Sequence, residues 1–196
     1  MIRNRILFYT AVFLSFMVAL ASFRFLGMGL DLAFAEMSGH ILNRKTVFIA
    51  HIIAASLALT FGAINLWERR SKKFRTLHRW TGRAYGVSVL VGGVSGFVMA
   101  TGAEGGIIAG FGFGILAVLW LVTTVQAIRL AMAGNFKAHR RWMMRSFALT
   151  FAAVTLRIYL PGFIIFGEMT YMQASVWVAW LCWVPNLAFA EWWVRR

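Results

Sequence analysis

The chain has 196 residues, of which 61% are hydrophobic, 16% aromatic and only 13% charged; a soluble domain is about 45–50% apolar and about 25% charged. Twenty Lys and Arg against six Asp and Glu leave a formal charge of +14, and a single cysteine, Cys182, excludes a disulfide scaffold. Such apolarity also excludes a disordered chain and a basic nucleic-acid-binding domain, and leaves an integral membrane protein with its basic residues gathered on one side.

A transmembrane helix needs about 20 apolar residues, because each advances ~1.5 Å through a ~30 Å hydrocarbon layer. In chain order the qualifying segments are Ile6–Leu26, Thr46–Trp67, Trp80–Thr101, Gly106–Met132, Trp142–Phe166 and Ala174–Trp193. They predict an all-α polytopic fold, a single transmembrane domain over residues 1–196 with six helices, in which helices two to five form a four-helix core. The first segment follows Arg3 and Arg5 and ends in Ala19-Leu20-Ala21, the outline of a cleavable leader. Loop charges consistent with an even number of spans favour a retained first helix.

Helical phase adds detail to the later segments. His51, Ala55, Ala58, Gly62 and Asn65 share one face of the second, and Gly82, Gly86, Gly93, Gly96 and Ala100 one face of the third. Gly106, Gly110, Gly112 and Gly114 open the fourth. Small residues so spaced let helices approach closely, within the chain or in a homo-oligomer, or admit a flat ligand. In the fifth, His139 and Arg157 are five turns apart and share a face with Ser146, Thr150 and Ala153, and a helix break is expected at Pro161-Gly162. Cys182 in the sixth reads as packing.

Sixteen of the twenty basic residues fall at alternate connections and the termini: Arg3 and Arg5; Arg69, Arg70, Lys72, Lys73, Arg75, Arg79 and Arg83; Arg129, Lys137, Arg140, Arg141 and Arg145; Arg195 and Arg196. The opposite connections hold Asp31, Glu36, Glu104 and Glu168 with only Arg44 and Lys45. The positive-inside rule therefore predicts a multi-pass protein of the bacterial cytoplasmic (inner) membrane with both termini in the cytoplasm.

Two of the basic connections carry similar text. Phe74-Arg75-Thr76-Leu77-His78-Arg79-Trp80-Thr81-Gly82-Arg83-Ala84-Tyr85 parallels Phe136-Lys137-Ala138-His139-Arg140-Arg141-Trp142-Met143-Met144-Arg145-Ser146-Phe147. Helices two–three and four–five thus read as two similar hairpins, the outline of an internal duplication. Taken singly, Arg and Trp at span ends anchor a helix in the headgroup layer. The paired histidines are less easily reduced to anchors and mark a candidate site. Three further ionisable residues, Arg24, His51 and Arg157, lie near the outer ends of their spans. Together they would line an outer-side polar pocket, unless Arg157 snorkels to the surface.

His51 through Tyr85, Gly92-Gly93, and the run from His139 to Arg157 resemble the bacterial predicted-membrane-protein family known as domain of unknown function 2306, over about residues 46–165. That resemblance implies a multi-pass membrane protein and no particular activity. His51 with its small neighbours, Gly62–Trp67, and His78 with Gly82 and Tyr85 also resemble two consecutive helices of the cytochrome b-561 type, in which six helices hold two b haems between histidines. On that pattern His51 and His78 would each ligate a haem. The chain departs from it in having no histidine in spans one and four. The resemblance then leaves His78 with His139 as one ligand pair, and His51 alone or with Met99 as another.

Two classes of function follow. In one, the cytoplasmic Arg79, Arg83, Arg140 and Arg145, with Arg157 at the other end, bind an anionic ligand or anionic lipids in an accessory, binding or transport role, as a homo-oligomer or a subunit of a membrane complex. In the other, the protein is a b-type haem electron carrier or quinone-linked oxidoreductase. The chain has no HExxH, CxxC or GxSxG sequence and too few carboxylates for a metal site, so a hydrolase or metalloenzyme is the weakest reading.

Overall fold

The computed structural model describes residues 2–68 and 75–196, so Arg69, Arg70, Lys72, Lys73 and Phe74 of the first basic connection lie outside the described residues. The described residues are helical, without strands: α1 (Ile2–Ser22), two single turns α2 (Phe25–Met28) and α3 (Leu30–Ala33), a 3-10 turn (Ala35–Met37), α4 (Ser38–Glu68), α5 (Arg75–Ala100), α6 (Gly106–Met132), α7 (Phe136–Thr150), α8 (Ala152–Ile165), α9 (Tyr171–Leu181) and α10 (Val184–Arg195). Among the described residues five stretches are long and apolar enough to cross a bilayer: Ile6–Met28, Ala35–Trp67, Thr76–Ala100, Gly106–Met132 and Phe136–Ile165. Their outer faces carry exposed large apolar side chains, among them Leu20, Val87, Ile107 and Phe111, as lipid contact requires.

The sixth expected segment, Ala174–Trp193, is not one helix. It stops at Leu181 and restarts at Val184. Pro185 has no N–H to offer the Leu181 carbonyl, and its ring opposes that carbonyl, so an uninterrupted helix would lose a rung here. Side chains repair the break: Asn186 Nδ2 donates to the Cys182 carbonyl at 2.8 Å, and Thr155 of α8 donates to the same oxygen. The break expected at Pro161-Gly162 is absent, because α8 runs through Pro161 to Ile165. The interruption lies at Phe151, where the Val154 N–H bonds the Phe151 carbonyl at 2.9 Å, three residues back, tightening the turn between α7 and α8. A second departure lies in α4, where Arg44 has non-helical angles (φ −143°, ψ 35°) and bends the helix. Its guanidinium donates to the Val98 carbonyl at 2.6 Å and to Thr101 Oγ1 at 2.8 Å, closing the end of α5.

The main core gathers Ala58 of α4, Tyr85 and Val89 of α5, Trp120 of α6 and Leu149 of α7, and also Val178, Cys182 and Trp183 from the last segment. Helices two to five are therefore not the whole core. Gly112 explains the addition: a Cβ there would lie 2.8 Å from the Ala179 carbonyl oxygen, so only glycine lets α9 come this close to α6. Gly110 meets the Ala100 carbonyl in the same way, which puts these fourth-span glycines to use within the chain. On α5, Gly86 receives Ile128, Gly93 receives Leu121 and Gly96 receives His51.

Polar side chains tie the bundle at its centre. The Tyr85 hydroxyl is 2.6 Å from Ser146 Oγ and 2.7 Å from Thr150 Oγ1, Thr124 Oγ1 is 2.6 Å from Ser146 Oγ, and Trp120 Nε1 donates to Thr150 Oγ1 at 2.9 Å. All five residues are buried, so each polar atom needs a protein partner and finds one. At the ends, Tyr9 of α1 packs edge-on against Trp67 of α4 with centroids 5.9 Å apart, and Arg145 of α7 pairs with Glu191 of α10. The first and last helices thus reach the end of the bundle that holds the two basic connections, hereafter the basic end.

Candidate functional site

At the basic end the repeated Trp-x-x-Arg spacing has a local use. Residues three apart share a helix face, and the Arg83 guanidinium lies 5.1 Å from the Trp80 ring, that of Arg145 4.7 Å from the Trp142 ring. Arg145 also grips Glu191 with both Nε and Nη2, the latter at 3.1 Å, and Arg195 approaches the same carboxylate at 3.5 Å. His139 bonds through Nδ1 to the Ala127 carbonyl at 2.8 Å, fastening α7 to the basic-end half of α6. His78, Arg79 and Arg140 are exposed. The aromatic that closes each repeat diverges: Tyr85 joins the hydroxyl cluster, whereas Phe147 packs on Gly62.

The opposite half holds a cavity of about 630 Å³ between α1, α4, α5, α6 and α8. Arg24, His51 and Arg157, the three ionisable residues near the outer ends of their spans, all line it, and so does Met99. Neither His78 nor His139 does. Arg157 does not reach outward to a surface. Its Nη1 donates to the Ala153 carbonyl one turn back at 3.0 Å, and its Nη2 to Ser22 Oγ at 2.8 Å, across to α1. Arg24 donates through Nε to the Ala33 carbonyl at 3.1 Å and lies 4.4 Å over the Phe34 ring, pinning the segment that joins α1 to α4. Among the described residues neither guanidinium is within salt-bridge distance of a carboxylate.

His51 is held by its backbone neighbours. Its Nδ1 is 2.9 Å from the Gly92 carbonyl oxygen, and its Cε1 would be 2.9 Å from a Cβ on Gly96, so the ring occupies the space that glycine leaves. If Nδ1 donates to that carbonyl, Nε2 is left as an acceptor or ligand. Connecting segments add Glu36 and Glu104 to the wall, the start of α4 adds His40, and the start of α9 adds Tyr171. Burial, then the Glu104 and Glu36 carboxylates, push the Tyr171 hydroxyl up to about 12, so it stays a neutral donor. Apolar side chains such as Leu116, Leu156 and Ile164 cover the remainder. Among the described residues no group of three or more His, Cys, Asp and Glu is placed to hold a metal ion.

The cavity is thus a largely apolar chamber with two guanidiniums, two carboxylates (Glu36 and Glu104) and a hydrogen-bonded imidazole in its wall. It suits a molecule with an apolar body and a head that accepts hydrogen bonds. Sequence reasoning missed Ser22, Trp120 and Thr150 as its lining. Trp120 offered a clue, since an indole in mid-span is far from the headgroup belt where Trp concentrates and must find an acceptor inside the bundle.

A chain whose described residues are helical and include five apolar segments of bilayer-crossing length is a multi-pass membrane protein. It belongs to the predicted membrane protein family DUF2306, whose model matches residues 48–194. Comparison with curated proteins and with solved structures finds no match, so the similarity to cytochrome b-561 gains no support there.

Proposed function

We propose that the protein binds an amphipathic molecule with an anionic or carbonyl head, drawn from the membrane, in the cavity between α1, α4, α5 and α8. One observation carries this reading: the half-buried Arg157 and the more exposed Arg24 line a largely apolar cavity, and among the described residues neither is bonded to a carboxylate, Glu36 and Glu104 of the same wall included. A partly buried cation without an ion pair in a bilayer, as Arg157 is, is costly, and an anion from outside the chain would offset that cost. The head would bridge the two guanidiniums, and His51 would add a hydrogen bond. A fatty-acid carboxylate, a lipid phosphate and a quinone carbonyl share this acceptor chemistry. On this reading the chain is a six-span domain of the bacterial inner membrane, its basic end in the cytoplasm with Arg79, Arg83 and Arg140 among lipid phosphates.

The test is binding of a fluorescent long-chain fatty acid and of the matching alcohol to the detergent-solubilised protein. Charge-assisted hydrogen bonds contribute about 1.5–3 kcal/mol each, so the acid should bind roughly tenfold to a hundredfold more tightly than the alcohol. Arg157→Gln should abolish the difference. Equal affinities for acid and alcohol in the wild type would sink the reading, and extraction of a quinone or phospholipid from the purified protein would identify the natural head.

A second reading is a b-type haem in the same cavity. Its support is that His51 and Met99 both line the cavity, and that a ligating histidine commonly commits its other ring nitrogen to a backbone carbonyl, as His51 Nδ1 does with Gly92. Haem would supply one-electron transfer, and Arg24 and Arg157 would neutralise its propionates. Reduced-minus-oxidised spectra of protein from haem-replete cells decide it. Bands lost in His51→Ala favour this site, bands lost in His139→Ala favour a pairing with His78, and a colourless preparation removes both.

A further inference from the structure

The end of the cavity away from the basic end carries a polar group that the two guanidiniums leave unused. Separate segments bring it together: Glu36 from the 3-10 turn, His40 from the first turn of α4, Glu104 from the α5–α6 turn and Tyr171 from the first residue of α9, all in the cavity wall. His40 is the most enclosed of them, at 5% exposure. Its ring stacks on Phe48, with centroids 6.4 Å apart and planes 2° from parallel. Among the described residues the ring nitrogens of His51 and His139 have backbone partners, and those of His40 have none. A buried imidazole with neither nitrogen bonded is rare in a folded chain, and a partner from outside it would account for this one.

The neighbours of His40 decide the sign of that partner. A Cβ on Gly39 would lie 2.7 Å from Glu104 Oε1, so the glycine beside His40 leaves the space in which this carboxylate sits. Glu104 and Glu36 both act on the Tyr171 hydroxyl, which marks the three as neighbours. Among the described residues neither carboxylate takes part in a hydrogen bond or an ion pair, whereas Glu191 has both. His40, Glu36 and Glu104 are not gathered closely enough to hold a metal ion. They offer instead a spread of acceptors, which suits a donor with several N–H bonds on a flexible arm. The cavity wall as a whole is balanced, Arg24 and Arg157 against Glu36 and Glu104, with no contact pair between them. A head that is only negative meets the guanidiniums favourably and the carboxylates unfavourably. A head with both charges satisfies both.

We propose that the guest of the cavity is an aminophospholipid, its phosphate held by Arg24 and Arg157 and its primary ammonium by His40, Glu104 and Glu36. This inference rests on the reading of the cavity as an amphiphile site and adds the cation that the head carries. A primary ammonium has three N–H donors. The sheltered Glu104 and His40 accept two of them, and Glu36, exposed at the rim, closes over the third. A neutral His40 keeps one N–H on its other nitrogen, which is free to donate to a phosphate oxygen of the same head. A quaternary ammonium has no N–H and would leave the imidazole unbonded.

The experiment titrates the detergent-solubilised full-length protein with three single-chain phospholipids of one acyl length, read by native mass spectrometry: lysophosphatidylethanolamine, its N-acetyl derivative and its N-trimethyl derivative. The wild type should bind the ethanolamine lipid roughly tenfold more tightly than either derivative. Glu104→Gln and His40→Leu should each remove most of that preference, whereas Arg157→Gln should weaken all three lipids and keep it. Should His40→Leu fail to fold, as judged by its elution from a sizing column, Glu104→Gln decides alone. Equal wild-type affinity for the ethanolamine and N-acetyl lipids overturns the proposal, and so does a preference undiminished in folded Glu104→Gln. The fatty acid and its alcohol, run beside them, separate the two readings. If the acid outbinds the alcohol while the three lipids bind alike, the ammonium site falls and the amphiphile site stands. If acid and alcohol also bind alike, both fall.

Discussion

Arg157 Nη2 lies 2.8 Å from Ser22 Oγ, joining the eighth helix to the end of the first through a cation and a neutral hydroxyl. The hydroxyl satisfies a donor and leaves the charge uncompensated. A fold selected for stability alone would place a carboxylate or an apolar residue here. Arg157→Met should therefore leave the thermal midpoint of the ligand-stripped protein unchanged or raised, and should remove the stabilisation that an added fatty acid gives the wild type. A lowered midpoint in the stripped variant would show that the guanidinium is structural.

The glycines of α5 and α6 differ in what a methyl group would meet. At Gly96 it would press on the His51 ring at 2.9 Å, whereas at Gly114 its nearest neighbours are 3.9 Å away. Gly96→Ala should cost about 1–3 kcal/mol through overpacking and weaken ligand binding as His51 shifts, while Gly114→Ala should be neutral or stabilising by about 0.4–1 kcal/mol. Denaturation midpoints of the two variants measure the contrast directly.

Arg44 closes the carbonyl end of α5 from another helix, an exposed contact with correspondingly modest energy. Arg44→Ala should cost about 0.5–1.5 kcal/mol and speed amide exchange at the α5–α6 turn, residues 101–105, leaving exchange at the basic end unchanged. Equal exchange at the turn in both proteins would rule out this closing role.

Glu191 receives Arg145 and Arg195 with side chains 32%, 18% and 79% exposed respectively, so only the first contact is sheltered. A double-mutant cycle of Arg145→Gln with Glu191→Gln should give a coupling of about 1–2 kcal/mol, and one of Arg195→Gln with Glu191→Gln should give about 0–0.5 kcal/mol.

Cys182 is buried and should be silent to aqueous thiol reagents, which makes sidedness measurable. With the proposed orientation, cysteines at Asn135 and Arg195 should be labelled only after a membrane-impermeant maleimide gains entry to the cytoplasm, and one at Glu36 should be labelled in intact cells. Labelling of Glu36→Cys and Arg195→Cys from the same side would overturn the six-span arrangement.

Much of this architecture was legible in the residues because a bilayer imposes a strict length and polarity on whatever crosses it. The cost of burying charge likewise made Arg24, His51 and Arg157 conspicuous, and the structure gathers them in one cavity. Other features depend on partners far apart in the chain. The doubled Trp-x-x-Arg spacing resembled a shared ligand site, but Arg145 meets Glu191, 46 residues away, and each arginine covers its own tryptophan. Pro161 signalled a break that α8 does not make, while the break at Phe151 carries no proline or glycine to announce it. Tyr85 and Phe147 occupy matching places in the two repeats and differ by one oxygen. That oxygen decides which of them joins the hydroxyl cluster.

The divided last segment has a mechanical consequence. Its first piece, α9, supplies Tyr171, Ser175 and, just beyond its end, Cys182 to the cavity wall, while its second, α10, carries Glu191 to the clamp on Arg145. Between them the connection at residues 182–183 is held by side-chain bonds from Thr155 and Asn186 in place of a continuous helical ladder. A guest bound in the cavity, if the proposed function holds, would load a joint and not a rod, and Glu191 at the far end would keep its hold on Arg145.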